Sequence, residues 1–173
     1  MISIQGKNIY LRTFSRAEYH KHWRAYVADP VMDPSTYVYN KESVDKKYDD
    51  ITEKESWYPR LGVFLEDGTP IGEISIKRID YEKSRCEFGI AIVNDNYKGL
   101  GYGTEAIELI IEYIFNTLKI RNIYADTMGS NLRMQRIFNK LGFGFINKEE
   151  QFYDMRDRWE DKLNYLLRNP KEK

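Results

Sequence analysis

The stretch "KGLGYGTEAI" sets Gly99, Gly101 and Gly103 at alternating positions, directly ahead of a helical pattern. A helix N-terminus carries unpaired N–H groups and partial positive charge. Glycines let those N–H groups reach an anion without side-chain obstruction, so this turn has the chemistry to hold a phosphate. A corner that holds nothing would use the same glycines. The Walker A pattern is absent, and the spacing is not that of the dinucleotide fingerprint. Two carboxylates fall in neighbouring strand-like runs: Glu87 in "SRCEFGIAIV", and Glu73 in the run before it. A carboxylate in a partly dry groove has its pKa raised and can take a proton from a nucleophile. Either can also be an outward-facing strand acid paired with Arg or Lys.

Other reactive side chains are few. Cys86 is the only cysteine, which excludes an internal disulfide and fits a reducing compartment. It can act as an acyl-enzyme nucleophile or simply as a buried strand thiol, and the second reading asks for less. His20 and His22 in "HKHW" read as a solvated helix face, and no metal is expected. The 27 basic and 27 acidic residues cancel, which gives no electrostatic reason to expect nucleic acid. No run approaches the roughly 20 apolar residues that a membrane span needs, and the N-terminal stretch lacks a signal-peptide core. A soluble cytoplasmic protein with no membrane partner is the expectation. The 173 residues are expected to form a single domain, 1–173.

These groups need elements to position them. Residues 8–14 read as a first strand, and "SRAE" has capping-box spacing, with Ser15 as cap and Glu18 three residues on. Residues 31–55 read as a loop followed by a helix from near Ser43. Their acids (Glu42, Asp45, Asp49, Asp50, Glu53, Glu55) form either a solvated helix face or a lip that attracts a cation. Asp67-Gly68 joins two strands as a hairpin, the second running over residues 71–79. Residues 84–93 form a further strand. Ala106, Ile107, Ile110, Ile111, Ile114, Phe115 and Leu118 recur at helical spacing, the stripe of a helix lying on a sheet. Residues 120–127 form the next strand. Asn131 can cap the helix that presents Met134, Ile137, Phe138 and Leu141, and Gly142 stops it. Residues 143–146 begin another strand. The tail reads as a strand through Trp159, then a short helix with Trp159, Leu163, Leu166 and Leu167 on one side. The fold class is α/β (α+β): a mixed central sheet of six to seven strands flanked by about four helices.

Taken together, Lys98-Gly99-Leu100-Gly101-Tyr102-Gly103, the preceding "EFGIAI", the following "TEAI", and the later Asn131 with "FNKLGF" resemble the GCN5-related N-acetyltransferase (GNAT) family. The likeness is to its branch of ribosomal-protein-alanine and spermidine acetyltransferases. It spans residues 8–160 in order and is strongest over 87–143. It implies acetyl-CoA as acetyl donor, with the pyrophosphate on the backbone N–H groups of Lys98, Gly99, Leu100, Gly101, Tyr102, Gly103 and Thr104. It implies a pantetheine arm between two splayed parallel strands, residues 87–93 and 120–127, with Ile90, Ala91, Ile92 and Val93 along the thioester end. Asn131 matches the family Asn that helps hold that arm, and it can cap its helix as well.

The resemblance implies direct transfer to a primary amine in a ternary complex. Glu87 is the first candidate for the base and Glu73 the reserve. Lys98 stands where Arg or Gln is usual, and a lysine serves a phosphate less directionally. Phe138 stands where many relatives carry the Tyr thought to protonate the thiolate. Ser130 and Tyr124 are hydroxyls nearby in sequence, and a thiolate can also leave without a dedicated acid. The acceptor is read as a polyamine or a peptide N-terminal amine, with Tyr37, Tyr39, Trp57 and Tyr58 able to pack on it. An aminoglycoside or amino-acid amine remains an alternative, as does a non-catalytic acyl-CoA-binding or sensor domain. Relatives commonly dimerise, so a homodimer is carried as an expectation from the family and not from these residues.

Overall fold

A computed structural model describes residues 2–171 of the chain. Its elements run β1 (Ser3–Gln5), β2 (Ile9–Arg12), α1 (Arg16–Ala25), α2 (Lys41–Glu53), β3 (Arg60–Leu65), β4 (Pro70–Asp80), β5 (Arg85–Ile92), α3 (Tyr102–Asn116), β6 (Asn122–Met128), α4 (Leu132–Lys140), β7 (Gly144–Asp154) and β8 (Trp159–Arg168). The strands form one eight-stranded sheet in the order β1-β2-β3-β4-β5-β6-β8-β7. Only β5 and β6 pair in parallel, and the crossover that this requires is α3. The sheet has eight strands rather than six to seven, and β1 lies outside the expected set.

Local chemistry starts each element where expected. Ser15 and Glu18 form the full capping box of α1, and Glu18 also holds the Arg12 guanidinium. Asn40 caps α2 by accepting from the Ser43 N–H, so the helix begins at Lys41. Asp67 accepts from the Thr69 N–H while Gly68 takes φ 81°, which closes the β3–β4 hairpin.

Strand alternation sorts the core into two layers. Ile9, Leu11, Leu61, Val63, Ile74 and Ile76 pack against the α3 stripe of Ala106, Ile107, Ile110 and Ile114. The intervening residues face the other way: Tyr10 and Phe64 join Phe14, Tyr19 and Val44 under α1 and α2.

Two expectations are corrected here. The tail contains no helix: residues 159–168 are the strand β8, inserted between β6 and β7 and paired with both. Trp159, Leu163, Leu166 and Leu167 fit a helical spacing, but β6 pairs with the run from Lys162 to Arg168 and β7 pairs with its other edge, so the backbone groups are taken up by ladders on both sides. Tyr165 shows the period that prevailed, with its ring in the core 4.8 Å from that of Phe138. His20 and His22 are not solvated. They are 7% and 1% exposed, because α2 packs across α1 on the side of His20 and α1 packs on β4 on the side of His22. His20 lies between the Tyr39 hydroxyl at 2.8 Å and Asp45 at 2.9 Å. His22 is enclosed beside Phe14 and Glu73.

Candidate active site

Parallel pairing between β5 and β6 lasts for only three residue pairs, ending at Glu87↔Tyr124. Beyond that point β5 stays with β4 as far as Gly72↔Ile92, while β6 stays with β8 as far as Met128↔Lys162. The two strands therefore part. The gap opens into a cavity of about 590 Å³ lined by Phe88, Gly89, Ile90, Ala91 and Ile92 on one side and Ala125, Asp126 and Thr127 on the other. Lys98, Gly99, Gly101, Gly103 and Thr104 line its mouth, and Asn131, Arg133, Met134, Arg136, Ile137 and Phe138 line it from α4.

The glycine turn is built to leave N–H groups open. Gly99 and Gly101 have φ 76° and 90°, and a Cβ on either would meet nothing within 4 Å. Backbone conformation, and not crowding, is what demands glycine there. Gly101 is the N-cap of α3 and offers no side-chain hydrogen bond, so the first-turn amides have no side-chain cap. Glu105 turns away from them and instead accepts from the N–H groups of Lys7 at 2.6 Å and Asn8 at 2.9 Å. This pins the β1–β2 turn against the base of α3.

Of the residues expected at the site, Ile90, Ala91, Ile92, Lys98, Gly99, Gly101, Gly103, Thr104 and Asn131 line the cavity. Val93, Leu100, Tyr102, Glu73 and Glu87 do not. Val93 is fully buried, its N–H donating to Ile71 at 2.9 Å and its carbonyl accepting from Val27 at 2.7 Å. Leu100 is exposed and Tyr102 packs on the core. The Lys98 ammonium is already engaged by Asp29 at 2.9 Å and Asp95 at 3.1 Å. Asn131 does two things: its Oδ1 caps α4 through the Met134 N–H, and its Nδ2 donates to Met32 Sδ. Sequence reading missed Arg133 and Arg136, cavity-lining cations with no ion pair among the described residues. Their three-residue spacing just after Asn131 puts them on one helix face, and that was the available signal.

The two carboxylates have different surroundings. Glu87 accepts from Arg78 at 2.9 Å, the cross-strand pairing allowed for above. Glu73 sits on β4 opposite Ala91, on the face that α1 covers. Arg60 Nη1 is 3.3 Å from its Oε1 and His22 Nε2 is 3.8 Å from its Oε2. Glu73 Oε2 makes no hydrogen bond, and neither do Tyr19 Oη, Trp23 Nε1, Arg60 Nε or either His22 nitrogen. Burial pushes the Glu73 carboxyl above its ordinary range, against the opposing charge of Arg60. Burial, with Arg60 adding to it, pulls His22 down to about 3.

Several alternatives narrow. Cys86 is buried and its thiol is pushed up to about 12, chiefly by desolvation, which makes it a poor nucleophile. Phe138 is 1% exposed and packed on Phe88, Phe143 and Tyr165, so that wall of the cavity carries no hydroxyl. Three acids of α2 are spent on neighbours: Asp45 on His20, Arg16 and Lys41, Asp49 on Arg16, and Asp50 on Lys54. They form a paired helix face and do not line the cavity. Among the described residues no three His, Cys, Asp or Glu converge to hold a metal, and no helix is long and apolar enough to cross a membrane.

A parallel strand pair that parts beside an uncapped, glycine-led helix N-terminus is the frame of an acyl-CoA-dependent transferase. The comparisons agree: residues 8–144 match the family model described as "Acetyltransferase (GNAT) domain", and the chain belongs to that family. It is an acetyltransferase, and acetyl-CoA is the acetyl donor of its family. The chain is 26% identical to a probable N-acetyltransferase, YjcK, of Bacillus subtilis (strain 168), over 96% of this chain and 97% of that one. Its fold is similar to that of a ribosomal-protein-S5-alanine acetyltransferase from Vibrio fischeri, with TM-score 0.85, 16% identity and 100% of both chains covered. It is also similar to Mycobacterium smegmatis RimJ, a structure in complex with CoA-disulfide, with TM-score 0.82, 15% identity, and 95% of this chain and 83% of that one covered.

Proposed function

We propose that this chain transfers the acetyl group of acetyl-CoA to a primary amine, a polyamine or the N-terminal amine of a peptide, by direct attack in a ternary complex with Glu73 as the base. The observation that carries this reading is the largely buried carboxylate of Glu73, across the ladder from Ala91, with Oε2 unpartnered among the described residues. Acetyl-CoA supplies an activated acyl carbon and a sulfur leaving group.

This chain's own residues fit that donor. The open amides of residues 98–104 suit its pyrophosphate, with Arg133 and Arg136 as nearby cations that make no ion pair among the described residues. Lys98 orders the turn through Asp29 and Asp95 more than it faces the ligand. The edge of β5 at Ile90, Ala91 and Ile92, unpaired where β6 departs, offers backbone groups to the amide-bearing arm. Val93 holds this edge in place, and Asn131 faces it across the cavity.

An ammonium has no lone pair, so a proton must leave before the amine attacks. Glu73, its pKa raised by burial, is suited to accept that proton through a water, because it stands behind the cavity lining. Glu87 is held by Arg78 and serves the sheet instead. The test is a thiol-release assay with acetyl-CoA and a panel of spermidine, basic peptides, an aminoglycoside and free amino acids. Turnover with an amine that falls at least about 100-fold in Glu73→Gln, and survives in Glu87→Gln, supports the reading. Equal turnover by wild type and Glu73→Gln would remove Glu73 from the chemistry.

A further inference from the structure

Lys77 is a cation that the sheet leaves without a counter-ion. It lies on β4, in register with Glu87 on β5. The Glu87 carboxylate is taken by Arg78, which stands at φ 52° and breaks the regular alternation of the strand. Among the described residues Lys77 makes no ion pair. Its side chain instead lies over Gly89: a Cβ there would come within 3.1 Å of Lys77 Cε and 3.3 Å of Nζ. Gly89 is two residues past the last β5–β6 pair, where the strands begin to part. The absence of a side chain at Gly89 thus lets the ammonium reach the split. There Lys77 lines the same cavity as Ile90, Asn131 and Phe138.

The other charged groups around this cavity do not take that place. Asp126 on β6 accepts from the Tyr153 hydroxyl at 2.8 Å. Lys98 is paired with two carboxylates. Arg133 and Arg136 approach from α4, and Tyr26 from the end of α1. Lys77 alone among the cations of the cavity comes from within the sheet. Phe138 meanwhile leaves the wall of α4 without a proton donor.

We infer that Lys77 stabilises and protonates the departing thiolate, a role that rests on the acetyltransferase reading above. The amine lone pair forms the C–N bond, and the C–S bond breaks with its electron pair going to sulfur. Glu73, having passed the proton of the ammonium to solvent, takes the surplus proton of the attacking amine and releases it to solvent in turn. Lys77 Nζ gives a proton to sulfur and regains one from solvent. A cation at low effective dielectric favours the anionic form of a neighbouring thiol in the same way.

The test needs no acceptor amine. The thiol of bound CoA is titrated by thiolate ultraviolet absorbance in wild type, Lys77→Met and Lys77→Arg. In wild type it should titrate about one unit or more below free CoA, a tenfold or greater shift. Lys77→Met should abolish the shift and Lys77→Arg should keep it. Desulfo-CoA, which lacks the sulfur, should bind wild type and Lys77→Met equally, showing that the variant is folded and its site intact. Identical thiol titrations in wild type and Lys77→Met would overturn the inference. So would weaker desulfo-CoA binding by Lys77→Met, which would assign Lys77 to holding the body of the ligand. If wild type binds neither CoA nor desulfo-CoA, the acetyltransferase reading falls, and this inference falls with it.

Discussion

Mild acid should loosen this protein through His22. The ring is 1% exposed, neither nitrogen has a hydrogen-bond partner, and burial followed by the charge of Arg60 pulls its pKa from 6.5 to about 3. Between those two values the unfolded chain binds more protons than the folded one. Stability therefore rises with pH across the window and is lost as pH falls from about 6.5 towards 3. The full shift corresponds to a ceiling of about 5 kcal/mol, of which about 2 kcal/mol is lost between pH 7 and pH 5. Glu73 acts in the opposite direction, because its raised carboxyl binds its proton sooner in the folded state. Glu18, lowered from 4.5 to about 2 chiefly by its hydrogen bond to Arg12, loses its stabilisation only as pH falls below about 4.5, outside the interval from pH 7 to pH 5. Urea unfolding of wild type and His22→Gln at pH 7 and pH 5 isolates the imidazole, since glutamine does not titrate and Glu73 is common to both. Wild type should lose about 2 kcal/mol more than the variant over that interval. Equal losses would refute the reasoning and show that His22 takes up its proton in the folded state at little cost.

Other perturbations follow from the same geometry. Glu73→Gln should lower kcat/KM at least about 100-fold while leaving acetyl-CoA binding intact by calorimetry, and Glu87→Gln should change either by less than about threefold. The reverse ranking would move the base to the sheet edge. Gly101→Ala must hold alanine at φ 90° in open space, so the fold should lose about 1–2 kcal/mol in urea unfolding, or the turn should shift and weaken acetyl-CoA binding about tenfold. A variant unchanged in both would show that the turn tolerates a side chain. Phe138→Ala removes a ring packed against three others and should cost about 3–5 kcal/mol by chemical unfolding. A loss under about 1 kcal/mol would mean that the cavity wall closes over the gap.

Much of this architecture is carried by short-range chemistry and is legible without coordinates. Ser15 with Glu18, Asp67 with Gly68, and the isoleucine stripe of α3 each specify their element within a few residues. The glycine turn belongs with them, because its positive φ angles and its helix start are local. The misread features depend on distant pairing. The run from Trp159 to Leu167 fits a helix until β6 and β7 flank it. His20 and His22 look solvated on α1 alone, but α2 covers the first and the sheet at Glu73 covers the second. The preference proposed for Glu73 over Glu87 rests on two tertiary facts: Arg78 reaching across to Glu87, and α1 closing over Glu73. Lys77 was invisible for the same reason, since its reach over Gly89 follows from the β4–β5 register.

The central claim is that the parted strands and the open amides of α3 receive acetyl-CoA for transfer to an amine. Calorimetric titration of the purified protein with acetyl-CoA tests it most directly, with ATP and NADPH as controls. The account predicts saturable binding of acetyl-CoA at one site per chain, competed by desulfo-CoA and not matched by either control. No detectable heat of binding at millimolar acetyl-CoA, or equal binding of all three ligands, would contradict it.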